Sequence, residues 1–569
     1  MKEKVRLHLQ TAKPQFTDVI KNVVLAPWAM PKANDICSAE VLPYYGSNPE
    51  ILHENFRKTW LFYPIIVKWL SERLNSNLAI KNSPLDWEIL LGYWLFYTLD
   101  VFFDKQSTLE SAFKHYEIEE VSLYHSGEIQ VDNLSTYDFL HKLYGKPFHE
   151  ALYSLIFSIL YEENNVHQFQ VQQPRALKET GKDEPAINFT RSYRYSFSEC
   201  QFSVGNLRDC LGEPGHKEIP VIRPVSPSHC RSTRNAIATQ LVEERICETA
   251  LSRILAFSLP TCFLEGYEAN VQLACVHYPK NIGLIYTSNS YAHNDLFKFW
   301  VVASRREGSK YIIGQHGNNY GNLKWNSTEE YELRVADHFV SWGWGHKKPK
   351  IKVLPSITLN QFATRCPKPN FGSKRILFVS YSLPSYQYFS HSLPQGNQHF
   401  ETMLSWVDFI DQIIDFDVVF RPHMVNYNWN ETEFIIEKCN PRKLPSISQG
   451  KKLLNDLKDS SLCVITYNST VILQLIYANF PFVCFWNPDH WQICPEMEKS
   501  YQILRQNNIL HDTARGAADF INNLDENIEV WWNSQTTREA IDKFCDSFLE
   551  RNSNPEEKWK DCFEGILRS

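Results

Sequence analysis

Between Ile282 and Phe485 short apolar runs alternate with helix-length segments, and this alternation constrains the fold more than any other feature. The runs are Ile282–Thr287, Tyr311–Ile313, His338–Trp342, Arg375–Ser380, Val418–Arg421, Leu462–Thr466 and Phe482–Phe485. Each has strand length and gives way to turn-forming residues. Helical patterns lie between them, notably Leu296–Arg306, Glu329–Ala336, His399–Ile414 and Val471–Ala478. Uniformly apolar strands separated by helices call for an α/β fold, with parallel sheets covered on both faces. In such sheets ligands bind beyond the carboxyl ends of the strands. The loops that follow the runs are therefore where chemistry is expected.

With 569 residues the chain is long enough for two or three domains. The boundaries expected are a first α/β domain over 1–345 with helical insertions, a Lys- and Pro-containing linker over 346–373, a second α/β domain over 374–535 and a C-terminal helix over 536–569. A cleft between two such domains is a favoured ligand site. In the first domain, 55–103 reads as helical, with Ser83 and Pro84 placed to start a helix and the aromatics assigned to core. Val23–Trp28 reads as a first strand, and about 164–233 as long loops. A net charge of -7 gives no reason to expect nucleic acid as partner. The 14 cysteines show no metal-ligand spacing, so no metal site is expected. The start of the chain lacks an apolar signal core, and Ile89–Phe103 is too short to span a membrane. A soluble cytoplasmic protein is expected, with docking at the inner face of the membrane left open.

The loop after Tyr311–Ile313 reads Gly314-Gln-His-Gly-Asn-Asn-Tyr-Gly321. Gly317 and Gly321 let the backbone turn, and Gln315 and His316 could face a ligand; a core histidine in a Gly-rich turn is the alternative. Asp295 follows the preceding run. A carboxylate there could attack an anomeric carbon or stabilise positive charge on it, or it could cap the next helix. Glu329, Glu330 and Glu332 could supply an acid or base, Glu330 being the one selected, although helix glutamates are commonly just solvated. In the second domain Arg421 and His423 of Arg-Pro-His follow a strand and suit a phosphate. Asn468, Ser469 and Thr470 lead into a helix, where side chains and free backbone N–H groups can hold an anion, or where Asn468 or Ser469 only caps. Asp415-Phe-Asp417 lies at the wrong end of its strand for a ligand. No Walker A loop, Gly-x-Gly-x-x-Gly turn, nucleophile elbow or His-Glu-x-x-His occurs.

Several segments together resemble a transferase family found in bacterial O-antigen gene clusters. They are Leu25-Ala-Pro-Trp28, Asp86–Leu95, Gly314–Gly317 with Tyr320-Gly321, Glu332, Asp337, Ser341-Trp-Gly-Trp344, Tyr467–Thr470, Pro481 and Phe485-Trp486. That family is distantly similar to retaining β-Kdo transferases, which have a GT-B architecture of two Rossmann-like domains. The resemblance implies a metal-independent glycosyltransferase of surface polysaccharide with no cofactor beyond its nucleotide-sugar donor, which could be a CMP-linked ulosonic acid. It also implies a glycan or lipid-linked glycan acceptor. Asp295 becomes the counterpart of the nucleophile by strand position, while Arg421-Pro-His423 departs from the His-Pro pattern of those enzymes. A CDP-alditol polyol-phosphate transferase and a non-catalytic nucleotide-sugar scaffold are the alternatives.

Overall fold

The computed structural model describes residues 2–9, 20–26, 39–124, 133–161, 167–171, 200–202, 231–386, 390–395, 397–427, 429–448, 452–524, 527–552 and 555–568. Most of the loop expected over 164–233, and the Pro-Trp end of the expected first strand, lie outside these residues. Two compact units emerge: Met1–Tyr311 with Tyr388–Ser390, and Ile312–Gln387 with His391–Ser569. The division falls well before 346–373, and that segment itself carries a strand and the helix Ile357–Arg365.

The first unit opens with a sheet of which the sequence predicts only the strand at Val23. Strands β1 (Glu3–His8), β2 (Lys21–Val24), β3 (Ala39–Val41), β4 (Tyr116–Tyr124) and β5 (His167–Val171) pair in the order β3-β2-β1-β4-β5, all parallel. Its strands are disguised by charge. Val5 and Leu7 are fully buried, while Lys4 and Arg6 reach across the ladder to Glu119 and Glu120. Two long helices follow, Pro49–Leu78 and Pro84–His115. Ser83 caps the second in a capping box with Asp86, and Pro84 takes its first position, where a missing N–H is harmless. Asp100, the charge that interrupts the apolar run, is fully buried and accepts a 2.7 Å bond from Thr59 on the first helix. Trp87 and Trp94 are fully buried as well, so these aromatics are core. β6 (Cys200–Phe202) pairs antiparallel with β7 (Leu284–Thr287).

The second unit contains most of β8 (Lys310–Gly314), and with it β9 (His338–Ser341) and β10 (Ile351–Val353), joined in parallel. Beyond them lies a six-stranded sheet of β11 (Arg375–Val379), β12 (Asp417–Arg421), β13 (Ser446–Ile447), β14 (Leu462–Ile465), β15 (Phe482–Phe485) and β16 (Leu510–His511). The order is β13-β12-β11-β14-β15-β16, every pairing parallel. In chain order this is 3-2-1-4-5-6, the doubly wound Rossmann arrangement, whose ligand crevice opens where the winding reverses. Here that point lies between β11 and β14. The chain ends in the helices Gln535–Phe548 and Pro555–Arg568, so 536–569 is more than one helix.

Candidate functional site

The loop after β8 is built from its first residue outward. The Gln315 N–H donates to Val340 O at 2.8 Å, prolonging the β8–β9 ladder. Its side chain, 2% exposed, donates to Gly317 O at 2.8 Å and accepts from the Trp342 N–H at 3.0 Å and Trp344 Nε1 at 2.8 Å. Gln315 therefore locks two loops together instead of facing a ligand. This also accounts for Ser341-Trp-Gly-Trp344. Gly321 has φ +67°, and a Cβ there would overlap the Trp344 ring, so only glycine fits. Gly317 serves close approach: its Cβ would lie 3.3 Å from Thr470 Oγ1.

His316 is about one-third exposed. Its Nδ1 lies 3.0 Å from the Tyr320 hydroxyl, which donates to Glu332 Oε1 at 3.0 Å. Since Tyr320 gives its proton to the fully buried Glu332, its oxygen accepts from Nδ1, and the imidazole is held in one orientation. His391 is close enough to feel His316, and burial first, then that neighbour, push its pKa down to about 4. Of the three glutamates, Glu329 accepts from the Gly321 N–H at 2.7 Å and Glu332 anchors Tyr320. Glu330, the one selected from the sequence, is exposed on the helix Ser327–Val335.

Asn318 carries the loop onto the six-stranded sheet. Its N–H donates to Thr470 Oγ1 at 2.9 Å, and its Nδ2 donates to Asn468 Oδ1 at 2.7 Å. Asn322 Nδ2 donates to Asn318 Oδ1 at 3.1 Å and to the Tyr501 hydroxyl at 2.9 Å, and Tyr501 donates to Asn468 Oδ1 at 3.0 Å. The ring of four side chains is closed and buried. Two donors converge on Asn468 Oδ1, so its amide cannot be reversed, and Nδ2 is left buried without a hydrogen-bond partner. Asn468 sits just beyond β14, at the reversal point of the sheet. Ser469 occupies the N-cap position of the helix Thr470–Ala478, yet its side chain makes no capping bond. The first N–H groups of a helix have no intrahelical partner. An uncapped helix start and a buried amide donor thus meet at one place.

The other sequence-selected residues are engaged elsewhere. Arg421, at the end of β12, pairs through Nη1 with Asp456, whose Oδ2 also accepts from Ser448 Oγ at 2.8 Å. β12 and β14 flank β11, so their ends stand about 10 Å apart. His423 is exposed, with Nδ1 3.2 Å from the Val425 N. Asp295, in the first unit, is 1% exposed and does not cap its helix, since Asn294 does. It accepts from the Thr136 N–H at 2.7 Å and pairs with Lys298 at 2.8 Å, so its carboxylate is turned into the protein. Among the described residues no group of three or more His, Cys, Asp or Glu side chains could hold a metal ion, and no helix is long and apolar enough to cross a membrane.

A profile of the LIC12162 family transferases matches residues 6–563. The chain belongs to that family. No protein of curated function matches the sequence. Solved structures to which this LIC12162 family transferase is similar include TarM, with 11% identity, a TM-score of 0.33 and coverage of 50% of this chain and 54% of TarM. The chain thus spans about half the length of TarM. The Staphylococcus aureus MnaA–UDP co-structure aligns with 10% identity and a TM-score of 0.34 over 60% of this chain and 95% of MnaA. MurG from Acinetobacter baumannii aligns with 9% identity and a TM-score of 0.30 over 78% of this chain and 98% of MurG. Alignments at this level leave the activity to be read from the residues of the chain itself.

Asn318, Asn322 and Tyr501 carry no site expectation from the sequence, and Tyr320 enters only through the family resemblance. A local signal is the density of amides in Asn318-Asn-Tyr-Gly-Asn322, unusual for a loop flanked by apolar residues.

Proposed function

We propose that this transferase moves a sugar from a nucleotide donor, and that the donor phosphate binds at the start of the helix Thr470–Ala478. The observation that carries the reading is Asn468 Nδ2, a buried donor without partner beside an uncapped helix N-terminus. Leaving such a group unsatisfied costs about 1–3 kcal/mol, which a phosphate oxygen would offset. The helix dipole and backbone N–H groups favour the same charge. Ser469 and Thr470 flank the anion, and His316, oriented by Tyr320 and Glu332 and next in the chain to Gly317, serves as acid or base. Arg421 stays with Asp456 and acts on the donor only at a distance, with exposed His423 on the same rim. No covalent step through Asp295 belongs to this reading, because its carboxylate is held by Lys298 and Thr136. The resemblance to O-antigen transferases favours surface polysaccharide as product and a CMP-linked ulosonic acid as donor.

The test is a thermal-shift panel of CMP, CDP, UDP and GDP, with and without magnesium, on the parent chain, Ser469→Ala and Asn468→Asp. A ligand at a hundredfold excess over Kd stabilises the native state by about 2.7 kcal/mol. The parent is expected to shift with CMP without magnesium. Asn468→Asp keeps the acceptor for Asn318 and Tyr501 but places negative charge at the anion, so it should lose the shift; Ser469→Ala should weaken it. A shift with UDP or GDP instead would replace the donor and keep the site. An undiminished shift in Asn468→Asp would overturn the site.

A further inference from the structure

A cavity of about 620 Å3 opens in the first unit, and none of the candidate-site residues lines it. It lies between the helices Pro49–Leu78 and Pro84–His115 and the turn that joins Arg231–Glu243 to Thr249–Ser258. Phe102 and Phe103, both buried, and Phe62 supply apolar walls. Lys58, Arg245, Glu110 and Glu248 line it too, and all four are exposed. Among the described residues none of these four makes an ion pair. The carboxylates instead feel one another: partial desolvation of the exposed Glu248 side chain, then repulsion from Glu110, raises its pKa.

Arg245 stands out for its backbone. The turn is a Schellman-type helix end, with the Ile246 N–H donating to Leu241 O and the Arg245 N–H to Val242 O, both at 2.9 Å. The left-handed residue of this turn is usually glycine; here it is arginine, at φ 56°. Beside the cavity the outer face of Pro49–Leu78 exposes Ile51, Leu61 and Ile65, at 39%, 65% and 48%. Arg57 and Lys68 border this stripe, with Glu54 and Glu72 at its margins, so the face mixes apolar residues with both charges.

We propose that this cavity is a binding site for a membrane phospholipid whose headgroup carries both a phosphate and a primary ammonium. Lys58 and Arg245 hold the phosphate, and Glu110 and Glu248 receive the ammonium. The phenylalanines cover the apolar part nearest the headgroup, and Ile51, Leu61 and Ile65 enter the surrounding bilayer. A zwitterion is the ligand that uses all four charges. A purely anionic lipid would leave the carboxylates facing a phosphate.

The test is cosedimentation of the full chain with vesicles of phosphatidylcholine alone, or of phosphatidylcholine mixed with phosphatidylethanolamine or with phosphatidylglycerol. A water-soluble dihexanoyl phosphatidylethanolamine is titrated in parallel. Binding to the phosphatidylethanolamine vesicles should be strongest. Arg245→Gly removes the strain and one phosphate contact. It should raise the melting temperature while weakening vesicle binding about tenfold, the ratio for one charged hydrogen bond. Leu61→Asp with Ile65→Asp, at exposed positions, should abolish vesicle binding and leave the soluble lipid bound. Equal binding to all three vesicles would overturn the headgroup assignment, and so would a preference for phosphatidylglycerol. Binding of the soluble lipid without any vesicle would remove the membrane from the proposal. Undiminished binding by Arg245→Gly would remove the site. None of these outcomes depends on the nucleotide reading.

Discussion

Asp295 and Lys298 form an ion pair at 2.8 Å with side-chain exposures of 1% and 0%. Cys262 adds its Sγ at 3.5 Å and Thr136 its backbone N–H. Removing one member of such a pair strands the other charge away from water, at a cost of about 3–5 kcal/mol. Asp295→Ala is therefore expected to lower unfolding stability by that amount in a urea titration. A catalytic nucleophile would behave differently, losing turnover with stability intact. The glycines are another matter of single atoms. Gly343 lies so near the backbone of Leu549 that a Cβ would overlap it, and this contact, not a turn, fixes the middle of Ser341-Trp-Gly-Trp344.

At the scale of elements, the helix Ser327–Val335 is docked on the β8 loop through Glu329 and Glu332. Burial raises the pKa of Glu329 to about 7, against the pull of the Gly321 N–H and Lys348. Between the ordinary carboxyl range and that value the native chain keeps a proton that the unfolded chain has released. The stability linked to this proton is complete below about pH 4.5 and is lost as pH rises through about 7. Glu329→Gln keeps an acceptor for Gly321 and does not titrate. Its melting temperature relative to the parent should therefore rise from about pH 5 to about pH 8, and a constant difference would refute the linkage. Elements also explain what could be read in advance. β11, β12, β14 and β15 were legible because parallel strands buried on both faces are uniformly apolar. β1 was not, because Lys4 and Arg6 find their carboxylates on β4, more than 110 residues away. The same distance hides half of the candidate site. Thr466–Thr470 announces a helix start within five residues, but the partners of Asn468 come from Asn318 and Tyr501, 150 and 33 positions off. Gln315 looked like a ligand contact because its own partners, Trp342 and Trp344, belong to the next strand's loop.

For the whole molecule, the end of the chain matters as much as its sheets. Trp559, Phe563 and Ile566 of the last helix are buried, and Trp559 Nε1 donates to Pro355 O at 2.8 Å. Each such side chain contributes about 1.5–3 kcal/mol on burial. A chain ending at residue 549 should therefore lose several kcal/mol of stability in its second unit, measured by denaturant unfolding against the full chain. Glu550 holds a further link, accepting at its carbonyl from the Tyr477 hydroxyl at 2.7 Å, at the far end of the helix that starts with Thr470. The crossing of Leu549 over Gly343 has a consequence for descent. Position 343 cannot acquire a side chain by a single tolerated step, because the obstacle is main chain, which no substitution at 549 removes. Lineages that keep this C-terminal path must inherit the glycine, and a relative with alanine or serine there should have rerouted its last two helices.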